Sequence, residues 1–175
     1  MQSFNIYKNL AWLNELPTDE AESVFRDCCG STEWARRMTA SRPFEMLENL
    51  FRSAEDIWFS LSSLDHLEAF ASHPKIGSKH AAPKQQAKSA EWSSGEQSGV
   101  NSATKEVQNE LAEVNRLYME KFGFIFIVCA TGKSAEEMLA ICKARLGNSA
   151  ATELQIAAEE QLKITEIRLN KLFEK

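Results

Sequence analysis

Cysteine and histidine are scarce in this sequence, and their spacing excludes the common metal and disulfide frameworks. The four cysteines contain no C-x-x-C pair, so neither a zinc ribbon nor a redox motif is predicted, and we expect buried, reduced thiols. The histidines are seven residues apart, which on a helix is too far for two of them to share one ion. We therefore expect no metal site. The residues concerned are Cys28, Cys29, Cys129, Cys142, His66, His73 and His80.

Long apolar runs and clusters of basic charge are also missing. No apolar stretch reaches the roughly 18 residues that a membrane span needs. Residues 1–16 lack the basic start and long apolar core of a secretory signal, and the last three residues are not the peroxisomal Ser-Lys-Leu. The net charge is -5 with acids and bases intermingled, which argues against nucleic-acid binding. The expectation is a cytoplasmic protein that binds neither membrane nor nucleic acid.

What the sequence does contain is helical periodicity over the length of one domain, 1–175. Thr18 is predicted to cap a helix that ends at Gly30. Pro43 suits the first position of a long amphipathic helix. Asp65 is predicted to cap a short helix that stops at His73, because Pro74 disfavours helical geometry in the residue before it.

The second half of the chain begins with a change of character. Residues 75–95 are rich in lysine, alanine, glutamine and serine, and they predict a surface loop or loosely helical excursion. Helical pattern returns around Glu96 and is strong over 105–122. Ser134 and Glu137 predict a capping box for the next helix, and a final helix is predicted over about 151–173.

One apolar run does not fit a helical protein. Residues 124–130 read Phe-Ile-Phe-Ile-Val-Cys-Ala between Gly123 and Gly132, which by propensity predicts a buried strand. No second strand of similar quality exists for it to join. Its backbone donors must then be satisfied by something other than a ladder.

His73 is the histidine with a possible chemical role. A helix C-terminus favours its charged form and burial favours its neutral form, so its pKa can lie near operating pH, as a general acid or base requires. The plainer interpretation is a residue that caps the helix, which is the commoner case. For His66 and His80 we expect solvated surface.

Two charged residues carry similar pairs of interpretations. Glu96 lies among serines and glycines, where it either lines a polar site or forms a capping box with Ser93. Arg168 lies at the edge of an apolar helix face, where its guanidinium meets an internal acid such as Glu160, a carboxylate-bearing substrate, or water. The pattern does not choose between these alternatives.

Several short motifs in series resemble the 2-oxo-4-hydroxy-4-carboxy-5-ureidoimidazoline (OHCU) decarboxylase family. The resemblance covers residues from about 41 to 169, and its strength lies in the order of the motifs. They are Ser41-Arg42-Pro43-Phe44, His73-Pro74-Lys75-Ile76-Gly77, Ser93 to Glu96-Gln97, Tyr118-x-x-Lys121-Phe122-Gly123-Phe124-x-Phe126-Ile127-Val128-Cys129-Ala130, Arg145-Leu146-x-Asn148, Glu153-Leu154 and Glu159-x-x-x-Lys163-Ile164-x-x-x-Arg168-Leu169.

The resemblance implies a fold, a reaction and a set of roles. The expected fold is an all-α, single-domain bundle of about eight helices, with 124–130 as an extended segment lining the site. The expected reaction is cofactor-free decarboxylation of the ureidoimidazoline to (S)-allantoin by a homodimer. His73 matches the proton donor, Glu96 and Ser93 a polar wall, and Arg168 the anion-binding arginine. The remaining lining residues are Pro74, Gln97, Phe126, Ile127, Val128, Cys129 and Ala130.

Two rival functions remain open at this point. A helical protein-binding module would be favoured if His73, Glu96 and Arg168 were scattered in space. A lyase or hydrolase acting on a related ureide is the other alternative, and the lack of metal ligands counts against an amidohydrolase.

Overall fold

The structure is a computed structural model that describes residues 2–76, 87–96 and 103–174, with side chains from residues 9 and 88 onward in the first two ranges. Over these ranges it contains nine α-helices and no strand, which confirms the all-α prediction. The helices are α1 (Gln2–Glu15), α2 (Thr18–Cys29), α3 (Thr32–Ala40), α4 (Leu47–Ser60), α5 (Ser63–Ala71), α6 (Ala87–Glu96), α7 (Lys105–Phe122), α8 (Ala135–Arg145) and α9 (Ala150–Lys171).

The chain divides into two compact units. The first is Met1–Glu68 with Leu162–Lys175, and the second is Ala69–Gln161. In the first unit α3 packs against both α2 and α4, and in the second α7 packs against α8. A single domain over the whole chain stays a prediction. None of the described helices is long and apolar enough to cross a membrane.

The core of the first unit is aromatic. The Phe25 and Trp34 rings meet edge to face with centroids 5.9 Å apart, and both side chains are fully buried. The indole Nε1 of Trp34 donates to the carbonyl of Ala54 at 3.0 Å, so its polar atom is satisfied inside the core. This bond fixes α3 against α4.

Glycines and serines end and begin several helices as predicted. Gly30 (φ 90°) and Gly123 (φ 78°) close α2 and α7 in the left-handed conformation that glycine adopts without strain. Ser134 accepts from the amide of Glu137, whose carboxylate accepts from the amide of Ser134. The predicted capping box is therefore confirmed.

Three predicted helix starts are wrong. Helix α2 begins one residue early, at Thr18, with Pro17 in the cap position and no side-chain cap bond. Helix α4 begins at Leu47, not Pro43, and the Arg42–Pro43 peptide is cis. Asp65 is the third residue of α5, where its carboxylate accepts from the amide and hydroxyl of Ser62, so the cap lies three residues upstream of the prediction.

The region between Pro74 and α7 is also more helical than predicted. Residues 87–96 form α6, so Ser93 and Glu96 lie at the end of a helix and the proposed capping box at its start is wrong. His66 is half-buried against the Trp58 ring, with Nε2 2.9 Å from the Trp58 carbonyl, so the expected solvated position is also wrong. His80 and Gln97 lie outside the described residues.

Candidate functional site

His73 lies in the second unit, just beyond the end of α5. Helix α5 ends at Ala71, two residues before the predicted end, and a turn follows in which His73 N donates to Phe70 O at 3.1 Å. The His73 side chain is 9% exposed. Pro74, which follows it, is half-buried. The His73 imidazole is therefore nearly buried and lies on the turn that follows α5, outside the helix.

Ser93 and Glu96 lie on one face of α6. A spacing of three residues puts their side chains next to each other along the helix. Ser93 is 3% exposed, and Ser89, one turn earlier, is 4% exposed. Glu96 is half-buried. Two residues assigned to the polar wall, Ser93 and Glu96, therefore share one helix face, where the serine is buried and the carboxylate is half-buried.

The apolar segment 124–130 is irregular and buried, not a strand. Its residues are buried except for Ile125, which is half-buried. It follows Gly123 at the end of α7, and Ala130 closes it with a turn in which Lys133 N donates to Ala130 O at 3.0 Å. Gly132 has the positive φ, 78°, that a type II turn requires at this position. The prediction that the segment joins no sheet is confirmed within the described residues.

Charged side chains satisfy polar groups of this segment. The carboxylate of Glu160 accepts from Cys129 N at 2.7 Å, and the ammonium of Lys133 donates to Cys129 O at 2.7 Å. The guanidinium of Arg145 donates to Ile127 O at 2.8 Å. The sequence left open what accepts from the backbone N–H groups of this segment. At Cys129 the acceptor is a carboxylate instead of a strand carbonyl.

Burial and three charged side chains affect the pKa of the Cys129 thiol. Burial raises this pKa, Lys133 opposes the rise, and the carboxylates of Glu160 and Glu96 add to it. Glu96, at the end of α6, thus contributes to the electrostatic environment of Cys129 together with Glu160 and Lys133. A shared site for Glu96 and Cys129 stays a prediction.

A buried ionic cluster lies behind the segment. Glu153 is completely buried and accepts from Arg145 Nε at 2.6 Å and from Asn148 Nδ2 at 2.7 Å. The hydroxyl of Tyr118 also donates to Glu153. Burial and this carboxylate raise the pKa of Tyr118, so the phenol stays protonated and keeps donating. The Arg145 guanidinium lies 4.9 Å above the Phe126 ring.

Arg168 belongs to the first unit. Its side chain is 1% exposed, and Nη1 donates to Asp27 O at 3.4 Å. Arg168 also acts electrostatically on the Cys29 thiol, lowering a pKa that burial raises to about 12. Of the alternatives that the sequence left open for Arg168, a guanidinium that reaches water does not fit a side chain this buried. Glu160, named from the sequence as a possible partner of Arg168, binds Cys129 N.

Sequence reasoning missed Lys133 and assigned Glu160 to a different partner. Glu160 follows the exposed Glu159 on a helix, where a pair of acids suggests a solvated face. Lys133 follows a glycine turn and carries no motif. Glu160 is 31 residues from Cys129 along the chain, and Lys133 is 4 residues from it. No local sequence pattern encodes the contact made by Glu160. Among the described residues, no three His, Cys, Asp or Glu side chains cluster to hold a metal ion.

The family model of OHCU decarboxylase matches residues 14–170. The chain belongs to the OHCU decarboxylase family. It is 46% identical over 154 residues to the uric acid degradation bifunctional protein of Arabidopsis thaliana, a match that covers 87% of this chain and 47% of that protein. The chain thus spans about half the length of that relative. It is 33% identical over 143 residues to the 2-oxo-4-hydroxy-4-carboxy-5-ureidoimidazoline decarboxylase of Amia calva, covering 80% of this chain and 79% of that one.

A solved structure of the family superposes on this one. It is a crystal structure of OHCU decarboxylase in the presence of (S)-allantoin, 42% identical in sequence, with a TM-score of 0.75. The match covers 86% of this chain and 97% of the solved chain. The helical fold described above is therefore shared with nearly the whole of that solved chain.

Proposed function

We propose that this protein catalyses the decarboxylation of 2-oxo-4-hydroxy-4-carboxy-5-ureidoimidazoline to (S)-allantoin, the third step of urate oxidation. The observation that carries the proposal is the match to almost the whole length of an OHCU decarboxylase crystallised with (S)-allantoin. The relatives named for uric acid degradation and for this decarboxylation support it.

The chemistry of the substrate explains why no electron-accepting cofactor is needed. The departing carboxylate is on a carbon that bears a hydroxyl and adjoins a ring C=N carbon. When the bond to the carboxylate breaks, its electron pair moves toward the imine, whose nitrogen takes a proton, and carbon dioxide leaves. The resulting enol loses its hydroxyl proton while the former imine carbon gains a proton on one face. That second protonation sets the configuration of allantoin.

The residues of the second unit suit the protonation step. We propose that His73 donates the proton, and general acid catalysis typically contributes about 10²–10⁴-fold in rate. The buried position of its ring keeps one face of the substrate next to one proton donor. Ser93 and Glu96 would then form the polar wall, with Glu96 either orienting the ureido N–H groups or repelling the departing carboxylate.

Anion binding is assigned to Arg168 and to backbone amides. A buried guanidinium is a permanent cation that binds carboxylate or carbonyl oxygens in a fixed geometry. Amides of residues 126–128 and 130 would hold ring and ureido oxygens in the manner of an oxyanion site, with Pro74 and Gln97 completing the lining. The Cys129 amide, also expected to do so, donates to Glu160 instead. These roles follow the family resemblance.

The decisive experiment follows the stereochemistry of the product. Urate is converted by uricase and hydroxyisourate hydrolase, this protein is added last, and circular dichroism records allantoin. We expect a rapid rise of the (S)-allantoin signal without added cofactor. Slow decay to a racemate, equal to the control without protein, would contradict the proposal, and turnover of a different ureide would favour the related lyase.

Two further parts of the proposal concern assembly and location. We propose a homodimer, and sedimentation at several protein concentrations would measure it. Two large apolar side chains of the first unit are exposed, Phe59 at 49% and Leu64 at 75%. They support the proposal, because a second copy of the chain would cover such a surface. A cytoplasmic location stays a prediction from the sequence.

A further inference from the structure

Both hydrogen-bonding groups of one residue, Cys129, are held by side chains of opposite charge. Its N–H donates to the Glu160 carboxylate and its C=O accepts from the Lys133 ammonium, both at 2.7 Å. In an antiparallel ladder one residue of the neighbouring strand takes both groups. Here a carboxylate from α9 and an ammonium from the turn after the segment do so instead.

These contacts are stronger than the backbone bonds they replace. A hydrogen bond with one ionised partner is shorter and roughly twice as strong as a neutral one. Both are partly buried, so water and salt screen them less than they screen surface pairs. The peptide groups on either side of Cys129 therefore have one preferred direction.

The contacts lie in the part of the chain to which substrate binding is assigned. The amides of residues 126–128 and 130 are the proposed donors to the substrate, and a binding site gains affinity when its donors are fixed before the ligand arrives. A peptide unit is planar, so the Cys129 N–H fixes the direction of the Val128 C=O, and the Cys129 C=O fixes that of the Ala130 N–H. Glu160 and Lys133 can thus affect substrate binding without touching the substrate.

We propose that Glu160 and Lys133 are positioning residues, which set the direction of the Val128 C=O and the Ala130 N–H by holding the N–H and C=O of Cys129. This inference rests on the proposed function and adds to it two residues that act through a third. The Glu160 carboxylate acts as an acceptor in this arrangement, so an uncharged oxygen at the same place preserves most of its effect.

The first test needs no substrate. Protein labelled with ¹⁵N-cysteine gives four backbone amide signals, and the Cys129→Ala variant identifies the one from Cys129. A charged acceptor at 2.7 Å moves this proton signal downfield. We expect Glu160→Ala to move it upfield and leave the other three unchanged, and Glu160→Gln to give an intermediate position. An unchanged Cys129 signal in Glu160→Ala would overturn the proposal.

The second test separates KM from kcat. Misdirected amides weaken substrate and transition state alike, so we expect Glu160→Ala to raise KM about tenfold with kcat within about threefold of the parent. Glu160→Gln retains an acceptor oxygen and should keep KM within about threefold. Glu159→Ala is the matched control, because Glu159 is the exposed neighbour on the same helix, and its KM should stay unchanged.

Lys133 provides an independent arm. Lys133→Met keeps the apolar stem and removes the donor to Cys129 O, and it should also raise KM several-fold. Because both residues hold the two peptide units that flank one residue, Cys129, the double variant with Glu160→Ala should lose less than the product of the two single effects. Lys143→Met, which removes an exposed ion-pair lysine on α8, is the control.

The outcomes distinguish this inference from the proposed function. If the parent protein turns over and Glu160→Ala keeps the parental KM while folded, positioning by Glu160 is wrong. If Glu160→Gln is as impaired as Glu160→Ala, the charge matters and the orienting bond does not, which also overturns it. If the parent protein has no activity, the proposed function fails, and the position of the Cys129 amide signal decides whether Glu160 fixes this residue.

Discussion

The guanidinium of Arg145 and the carboxylate of Glu153 form a buried ion pair, with Nε 2.6 Å from the nearer oxygen. Glu153 is completely buried and Arg145 is 7% exposed. The same guanidinium donates to Ile127 O, so one side chain links the last turn of α8, the start of α9 and the apolar segment.

We expect the loss of one partner of this pair to be costly for stability. Removing one member of a buried ion pair leaves the other charge uncompensated, at a cost of about 3–5 kcal/mol. Glu153→Gln should therefore lower the urea midpoint of unfolding strongly. Glu110→Gln removes one partner of the exposed pair with Lys143 and should change the midpoint little, since surface pairs contribute about 0–1 kcal/mol. Equal effects of the two substitutions would contradict the assignment.

Replacing His73 should separate activity from folding. His73→Asn removes the proposed proton donor, and we expect turnover to fall by about 10²–10⁴-fold. Production of (S)-allantoin followed by circular dichroism measures the loss, and the far-ultraviolet spectrum checks the fold. His66→Asn is the matched histidine control, and it should retain parental turnover. A folded His73→Asn protein with full activity would exclude His73 as the donor.

Glu33 should make a contribution to stability that acid removes. Hydrogen bonds from Arg36 and then Arg37 lower its pKa from 4.5 to about 2. Because the folded value is the lower one, the unfolded state takes up the proton first as pH falls. The contribution is present above about pH 4.5 and is lost as pH falls through about 2.

The Glu33→Gln variant tests this pH dependence. The difference in urea midpoint between the parent protein and the variant should be present at pH 5 and shrink at pH 2.5. Because Glu33 is exposed, salt should also reduce the difference at pH 5. A difference that is the same at both pH values would show that the carboxylate's charge does not contribute.

The thiols should be unreactive in the folded protein. All four cysteines are free and buried, and burial raises the pKa of Cys29 and of Cys142 to about 12. We expect no labelling by a thiolate-directed disulfide reagent at pH 8, and four labelled thiols per chain in guanidinium chloride. Fast labelling of the folded protein would show that one of these sites opens.

The raised pKa of Cys29 should also make the stability of the protein fall at alkaline pH. Thiols of the unfolded chain ionise near 9, while Cys29 in the folded protein keeps its proton to about 12. The stability that this difference supplies is complete below pH 9 and is lost as pH rises toward 12. The urea midpoint should fall between pH 8.5 and 10.5. A constant midpoint would contradict the raised pKa.

Helix boundaries set by local chemistry were predictable from the sequence. Ser134 and Glu137 cap each other across three residues, and Gly30 ends a helix by its own conformational freedom. Such signals need no information from the rest of the chain. The all-α fold and the family were also predictable, because the motifs occur in series over most of the chain.

Boundaries set by distant contacts were not predictable. Pro43 satisfies every local rule for a helix start, yet the next residue, Phe44, exchanges two hydrogen bonds with the side chain of Asn14. These bonds occupy the backbone of Phe44 and delay the helix to Leu47. Ser93 and Glu96 fit a capping box equally well, but α6 has already begun at Ala87.

The candidate site divides in the same way. The residues to which we assign the chemistry, His73, Glu96 and Arg168, come from the family motifs. The residues that hold the segment were not, because Glu160 and Arg145 reach their main-chain partners across 31 and 18 residues. A contact to a main-chain atom does not depend on the side chain of the residue that is contacted. The amino acid at that position therefore does not reveal the contact.

That dependence on main-chain atoms has a consequence for how the protein can change. The charged side chains that hold the apolar segment bind Ile127 O, Cys129 N and Cys129 O. These main-chain atoms are the same whichever amino acid is present. Side chains of similar volume can therefore be exchanged along the segment while its path is retained. Residues 127–129 are thus a place where evolution or design can change side chains without rebuilding the scaffold.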